Sequence, residues 1–102
     1  MSSGTRDRVV DAVEGLTLRV YRILVILRWL DMAPCEYWSL YSRVNKEVPI
    51  STRSFKLLTR FLARVGLIKT RKPTPKTRML YITEKGRNAL ERARELAGKI
   101  RL

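Results

Sequence analysis

The chain has 102 residues, enough for one domain with a single modest core, and 22 Lys and Arg against nine Asp and Glu give it a formal net charge of +13. It contains no His and one Cys, which excludes a zinc finger or another Cys/His metal site, and we expect neither a metal nor a cofactor. Without His or a cluster of carboxylates, general acid–base catalysis has no residues to use, so the sequence predicts a protein that is not an enzyme.

The positive charge is concentrated in one third of the chain. Residues 51–87 hold 11 basic side chains and one acid, Glu84, a net of +10, whereas residues 1–50 carry a net of +1. A clustered charge of this kind is typical of a surface that binds nucleic acid, and an anionic membrane surface is the lesser alternative.

Several features indicate a protein of the cell interior. Cys35 alone cannot form an intramolecular disulfide and fits a reducing compartment, where we expect it to be a small buried hydrophobic residue. No signal peptide is recognisable, and the apolar stretch 16–32 contains three arginines, which argues against a membrane span. We therefore expect a cytoplasmic, nucleoid-associated protein. The absence of Gln and the two Asn residues fit a heat-adapted source.

The N-terminal half predicts three helices. Residues 1–4 are expected to be disordered, and residues 5–102 to form one domain. A short amphipathic helix is punctuated by Gly15, and Thr17 is expected to cap a second helix that runs to about Asp31. That second helix is apolar nearly all round, which implies burial on more than one side. Pro34 suits the first turn of a third helix, through about Lys46.

The C-terminal half predicts a helix, a hairpin and a helix. Ser51 can cap a helix over 51–65, and Gly66 follows where a helix end favours a positive φ. Two short strands, 67–71 and 78–82, are joined by a stiff basic tip, so that 67–82 forms a hairpin. Thr83 can cap a final helix over 84–101. The expected fold class is mainly α with a small β-hairpin, an α+β fold.

The 51–65 helix separates cations from apolar side chains. At 100° per residue, one face of this helix carries basic residues and the opposite face apolar ones. The basic residues are Arg53, Lys56, Arg60 and Arg64, and the apolar residues are Phe55, Leu58, Leu62 and Val65. The basic face has no acid one turn away to neutralise it, as a solvated structural face usually has. A solvated basic face remains the alternative.

Hydroxyls and backbone amides in the first turn of such a helix are good phosphate ligands, and Arg53 can pair bidentately with guanine. The basic hairpin is expected to lie on phosphates or in the adjacent minor groove; its alternative role is to protect an edge strand with charge. The predicted DNA-binding residues are Ser51, Thr52, Arg53, Ser54, Lys56, Arg60, Lys72, Lys76, Thr77 and Arg78.

Three aromatic residues are assigned less directly. Tyr37 lies on the apolar face of its helix and is expected in the core. Trp38 lies off that face, and packing on a neighbouring element is favoured over stacking on a DNA strand. Tyr81 alternates with Leu80 and Ile82 and is expected to point away from the core, either lining the hairpin or simply exposed.

The final helix carries a narrow apolar seam, formed by Ala89, Ala93, Leu96 and Ile100. Arg87–Glu91 and Glu95–Lys99 are spaced as ion pairs of adjacent turns. A seam this narrow favours pairing with another helix over packing on its own domain. Together with the surplus apolar surface of the N-terminal segment, it predicts a homodimer held by residues 5–32 and 84–101.

The chain resembles a known family of regulators. STRSFKLLTRFLARVGLI (51–68) followed by RMLYITEKGRNAL (78–90) is similar to the winged helix-turn-helix of PadR-like and MarR-like proteins, in which a recognition helix ends in GLI, a basic wing follows, and (L/I)T-x-x-G opens the last helix. EYWSLYSRVNKEV (36–48) resembles the helix before the turn. The resemblance implies a DNA-binding homodimer that uses Thr52, Arg53 and Lys56 on the recognition helix and Arg78 in the wing.

Two departures from that family limit what it implies. The chain lacks the Asp-x-Arg of the MarR-like wing and the long helical dimerisation domain of larger members, so no small-molecule effector is predicted. The leading hypothesis is a double-stranded DNA-binding transcriptional regulator. The alternatives are an architectural chromatin protein, and a winged helix that serves as a protein-interaction or RNA-binding subunit of a larger complex.

Overall fold

A computed structural model of the chain describes residues 3–99, with side chains from residue 8 onward. Its helices and strands, in chain order, are α1 Ser3–Met32, β1 Cys35–Glu36, α2 Tyr37–Glu47, α3 Thr52–Arg64, β2 Ile68–Thr74, β3 Thr77–Ile82 and α4 Glu84–Lys99. Four helices with a small antiparallel sheet confirm the predicted α+β fold class.

α1 is one continuous helix where two were predicted. Gly15 lies within it, because a glycine in a helix interior costs only about 1 kcal/mol, which a long helix tolerates. The hydroxyl of Thr17 donates to the carbonyl of Val13 at 2.9 Å, one turn back, instead of capping a new helix. The helix already includes Ser3 and Gly4, and the remainder of the expected disordered start, residues 1 and 2, lies outside the described residues.

The two halves of α1 have different surroundings. Val25, Ile26, Leu27 and Leu30 are buried in the core, whereas every described side chain from residue 8 to residue 21 is exposed. The molecule accordingly measures 58 × 31 × 24 Å. The C-terminal half of α1 therefore belongs to the domain, and the N-terminal half projects from it.

α2 begins later than predicted. Pro34 precedes a two-residue strand, and the helix is capped by Glu36, whose carboxylate accepts from the amides of Trp38 at 2.9 Å and Ser39 at 3.0 Å. The sequence offered no signal for this strand, since two residues show no periodicity. After α2, the Asn45 side chain accepts from the amide of Ile50, and the Tyr41 hydroxyl donates to the Ile50 carbonyl, both at 3.0 Å. These bonds fix the turn between α2 and α3.

The core lies where α1, α2 and α3 meet the sheet. Its largest fully buried side chains are Ile26, Leu27, Leu30, Leu40, Val44, Phe55, Leu62, Ile68 and Leu80. Cys35 is buried as predicted, with a free thiol. The apolar face predicted for α3 is confirmed for Phe55, Leu58 and Leu62, which are buried, whereas Val65 is the C-cap residue and is half-buried.

The sheet has the order β1-β3-β2, antiparallel throughout. β3 pairs with β2 on one side, Ile68 opposite Ile82, and with β1 on the other, Cys35 opposite Leu80. Both hairpin strands are longer than predicted and leave a two-residue turn, Pro75 and Lys76. In β2 all residues after Ile68 are exposed, so the hairpin projects beyond the core.

α4 packs across α1. Leu90 is its buried contact residue, and Asp31 of α1 forms ion pairs with Arg87 at 3.5 Å and Arg94 at 4.0 Å. The predicted pairs Arg87–Glu91 and Glu95–Lys99 are not among the ion pairs of the described residues: Arg87 turns to a carboxylate on another helix. Ile100, the last member of the predicted seam, lies outside the described residues.

Candidate nucleic-acid interface

The first turn of α3 is fixed by Ser51. With extended backbone angles (φ −72°, ψ 157°), Ser51 accepts a hydrogen bond from the amide of Ser54 at 3.1 Å, as an N-cap residue does. The predicted cap is therefore confirmed. Thr59, a polar residue on the buried face, is satisfied within the helix because its hydroxyl donates to the Phe55 carbonyl at 2.9 Å.

The cationic face of α3 is open to solvent. Arg53, Lys56, Arg60 and Arg64 are all exposed. The ion pairs found among the described residues lie elsewhere, Arg28 with Glu47 and Asp31 with the two arginines of α4. Within the part of the chain that the structure describes, no carboxylate neutralises the positive charge of α3.

α3 and the hairpin form the two walls of a crevice of about 670 Å³, and the start of α2 forms its end. Seven of the ten predicted residues line it: Thr52, Arg53, Lys56, Lys72, Lys76, Thr77 and Arg78. Two connections bring these residues together. β2 follows α3 after one turn, which sets the hairpin beside α3, and β3 pairs with β1, which directly precedes α2 and so brings the start of α2 to the hairpin.

The other three predicted residues lie outside this crevice. The hydroxyls of Ser51 and Ser54 are 3.0 Å apart and hydrogen-bonded to each other. Ser54 lines a separate groove between α1 and α3, and Arg60 lies further along the exposed face of α3. The observed role of Ser51 and Ser54 is therefore to cap the N-terminus of α3.

Four further residues, Glu36, Tyr37, Trp38 and Pro75, line the crevice and were not predicted to do so. Tyr37 is buried, as expected, but its ring also supports Arg78, whose guanidinium carbon lies 5.1 Å from the ring centroid. Both belong to the crevice because of β1, the strand that sequence patterning did not reveal.

Trp38 is 58% exposed at the edge of the crevice. Its ring meets the rings of Tyr37 and Tyr41 edge-on, with centroids 5.0 and 6.0 Å apart. Both partner rings belong to α2 itself, so the favoured packing on a neighbouring element is not seen among the described residues, and more than half of the side chain faces solvent beside the cations. Tyr81 is half-buried under cations of β2, with the Lys69 ammonium 5.9 Å from its ring centroid, and is not part of the crevice.

A helix–turn–helix formed by α2 and α3, followed by a basic hairpin that shares a crevice with α3, defines a winged helix-turn-helix protein. The hairpin is the wing. No protein-family model matches the sequence, but individual proteins do. Protein F-93 of Sulfolobus spindle-shape virus 1 is 37% identical over 68 residues, 66% of this chain and 72% of that protein. The chain belongs to the same family as this protein.

Solved structures agree with that placement. The crystal structure of F-93 from the same virus has a TM-score of 0.59 at 31% identity, over 78% of this chain and 91% of that one. F93 from STIV, described as a winged-helix DNA-binding protein, has a TM-score of 0.62 at 23% identity, over 74% and 84%. A PadR family transcriptional regulator from Eggerthella lenta has a TM-score of 0.69 at 18% identity, over 92% and 87%. The PadR-like resemblance is confirmed for the fold; its MarR-like part stays a prediction.

Within the described residues, no helix is long and apolar enough to cross a membrane.

Proposed function

We propose that the protein is a transcriptional regulator that binds double-stranded DNA, with α3 in the major groove and the wing on the backbone or in the adjacent minor groove. The observation that carries the proposal is the crevice, in which Arg53 and Lys56 of α3 face Lys72, Lys76 and Arg78 of the wing. Cations on two walls fit a phosphate strand that passes between them, while the first turn of α3 reaches base edges. The protein acts without an enzymatic step, in the cytoplasm and on the nucleoid.

A homodimer completes the proposal. Val9, Val13, Leu16 and Val20 recur at helical spacing along the projecting half of α1, and each is more than half exposed. The stripe continues into Ile23 and Leu27, which pack in the core. An apolar row of this length is more than a soluble monomer usually leaves in water.

In our proposal, a second copy of the chain packs on this row and on α4. Beside the row, α1 and α4 enclose an apolar groove of about 220 Å³ lined by Leu24, Leu90 and Ala93 among others, and Leu96 of α4 is exposed nearby. To face successive major grooves, two-fold pairing of these helices must set the two α3 helices about 34 Å apart, one turn of B-DNA.

The salt dependence of DNA binding tests the function. For a dimer that neutralises about 6–8 phosphates, log K against log[salt] should slope near −5 to −7. Arg92→Ala, on an exposed residue of α4 outside the crevice, is the matched control and should leave the slope unchanged. A flat salt response would favour the protein-interaction module instead.

Sedimentation equilibrium at micromolar concentration tests the dimer. The expected mass is twice the 11.9 kDa of the chain, and Leu16→Glu should reduce it to that of a monomer because a buried carboxylate has no partner in an apolar seam. Asp11→Glu, on the opposite, charged face of the same helix, is the control. A wild-type chain that sediments as a monomer would refute the dimer and leave the DNA-binding proposal to the salt experiment.

A further inference from the structure

Leu57 is an apolar residue on the face of α3 where cations are expected. It follows Arg53 by one helical turn and precedes Arg60 by another, so the three side chains share one side of the helix. Its side chain is 54% exposed, whereas the next residue, Leu58, is buried in the core. Leu57 therefore contributes little to the packing of α3.

The chemistry available to an apolar side chain in the major groove is narrow. Base edges there present hydrogen-bond donors and acceptors, and the C5-methyl group of thymine is their one apolar feature. Arg53 and Arg60 bracket Leu57 along the helix, and Arg53 is the residue proposed to pair with a base edge, so Leu57 would face the same groove. A leucine held in that position loses water-exposed apolar surface where a thymine methyl group faces it.

We propose that Leu57 reads thymine, by packing on its C5-methyl group in the major groove, and so adds an apolar term to the specificity that Arg53 supplies through hydrogen bonds. The inference rests on the proposed DNA-binding function. It also assigns a role to a side chain that the amphipathic pattern of α3 leaves unexplained, because Leu57 lies outside its apolar face.

Leu57 has a second set of neighbours besides the cationic face of α3. Leu57 also lines a groove of about 200 Å³ between α1 and α3, together with Arg19, Arg22 and Ser54 among others. The Arg22 guanidinium donates to the Pro49 carbonyl, and Arg19 lies 4.9 Å from the ring centroid of Phe61, so both arginines already have contacts within the domain. By contrast, Arg53 and Arg60, on either side of Leu57 along α3, form no ion pair with any described residue. This difference favours DNA over a protein segment as the partner of Leu57.

The test removes the methyl group from the DNA. A duplex of about 30 base pairs, enough for two half-sites one turn apart, is first selected from a random pool by the wild-type protein. Each thymine of the selected duplex is then replaced, one at a time, by deoxyuridine, which differs only in lacking the methyl group. Binding is measured by fluorescence anisotropy at constant salt for wild type, Leu57→Ala and Leu57→Gln.

At one thymine in each half-site, the replacement should weaken wild-type binding about fourfold, the factor that corresponds to ~0.8 kcal/mol for one buried carbon. Both Leu57 variants should bind the thymine duplex more weakly and show no further loss with deoxyuridine at that position. Alanine and glutamine are good helix formers, so circular dichroism should report an intact fold. Met32→Ala removes another exposed apolar side chain, at the C-terminal end of α1 and outside the crevice, and should retain the wild-type loss.

The inference is overturned if no deoxyuridine weakens wild-type binding, or if the Leu57 variants lose as much as wild type at every thymine. It is also overturned if the variants change the sedimenting mass while their thymine discrimination is unaltered, since Leu57 would then contact a protein. Failure of the proposed function itself looks different: the wild type would bind no duplex in a salt-dependent way, before any thymine is replaced.

Discussion

The hydroxyl of Thr83 joins the two ends of the wing. It donates a hydrogen bond of 2.6 Å to the carbonyl of Gly66, at the end of α3, and accepts one of 3.0 Å from the amide of Gly86, in the first turn of α4. Gly66 has a φ of 81°, which favours glycine, and the amide of Thr83 donates to the Leu67 carbonyl at 3.1 Å. The wing is thus closed at its base by residues of the GLI and T-x-x-G motifs.

Gly86→Ala should destabilise the fold. A Cβ at this position would lie 2.1 Å from the Leu67 carbonyl oxygen and 2.8 Å from Cγ1 of Ile82, and a backbone atom cannot move aside as a side chain can. We expect the free energy of unfolding to fall by roughly 3 kcal/mol, the upper end for overpacked sites. Chemical denaturation measures it. Gly15→Ala is the control: nothing lies within 4 Å, so the variant should gain up to about 1 kcal/mol.

Thr83→Val should loosen the base of the wing while keeping its shape. The substitution leaves the Gly66 carbonyl and the Gly86 amide without their partner, at an expected cost of about 1–3 kcal/mol in the free energy of unfolding. Thr83→Ser keeps the hydroxyl and should lose less than half as much. A large loss for Ser with a small loss for Val in urea denaturation would contradict this expectation. Ser keeps the hydroxyl and Val keeps the methyl group, so the methyl group would then matter more than the hydrogen bonds.

Arg53→Ala and Lys76→Ala should differ in kind. Loss of a base-contacting arginine should cost roughly 1–3 kcal/mol of binding free energy and relax the preference at one position. Loss of a wing phosphate contact should weaken all duplexes alike and reduce the salt slope by about one. Selection from a random pool, followed by anisotropy titrations, separates the two. Uniform losses in both variants would indicate an architectural binder.

Trp38 should report DNA binding by its fluorescence. The chain has two tryptophans, and Trp29→Phe leaves Trp38 alone at the edge of the crevice. Its emission should be quenched, and its access to acrylamide reduced, when duplex DNA is added, because a DNA strand would cover the exposed part of the ring. In the converse variant, Trp38→Phe, Trp29 should keep its emission, since it is half-buried between Arg28 and Arg43. Equal quenching of both would contradict a local contact.

Sequence patterning predicted α3 and the ends of the wing because their signals are local. The 3.6-residue period, the Ser51 cap and the positive φ of Gly66 each depend on neighbours in the chain. The same patterning predicted two helices in place of α1. Gly15 marks the break in that prediction, although the helical pattern continues on both sides of it. Propensity alone could not reveal that the core holds the C-terminal half of α1 in place.

Only part of the crevice lining could be predicted from the sequence. Its cations are visible as a charge cluster, but Glu36, Tyr37 and Trp38 enter it through the pairing of Cys35 with Leu80, 45 residues apart in the chain. The ion pairs of Asp31 with Arg87 and Arg94 were missed for the same reason. For Arg87, the carboxylate of Asp31 on another helix competes with that of Glu91, four residues further along the chain. The local sequence does not show which carboxylate lies nearer in the fold.

The continuity of α1 has a mechanical consequence for target choice. A single 30-residue helix reaches from the proposed dimer seam into the core that carries α3, without a hinge at Gly15. In the proposed dimer, such a rod would fix both the distance and the rotation between the two copies. One extra base pair between half-sites shifts them by about 3.4 Å and turns them by about 35°, a mismatch that a stiff rod cannot absorb. The affinity of the protein should therefore depend as strictly on the spacing between half-sites as on their base sequence. A pair of glycines inserted after Thr17 should make the affinity less dependent on that spacing.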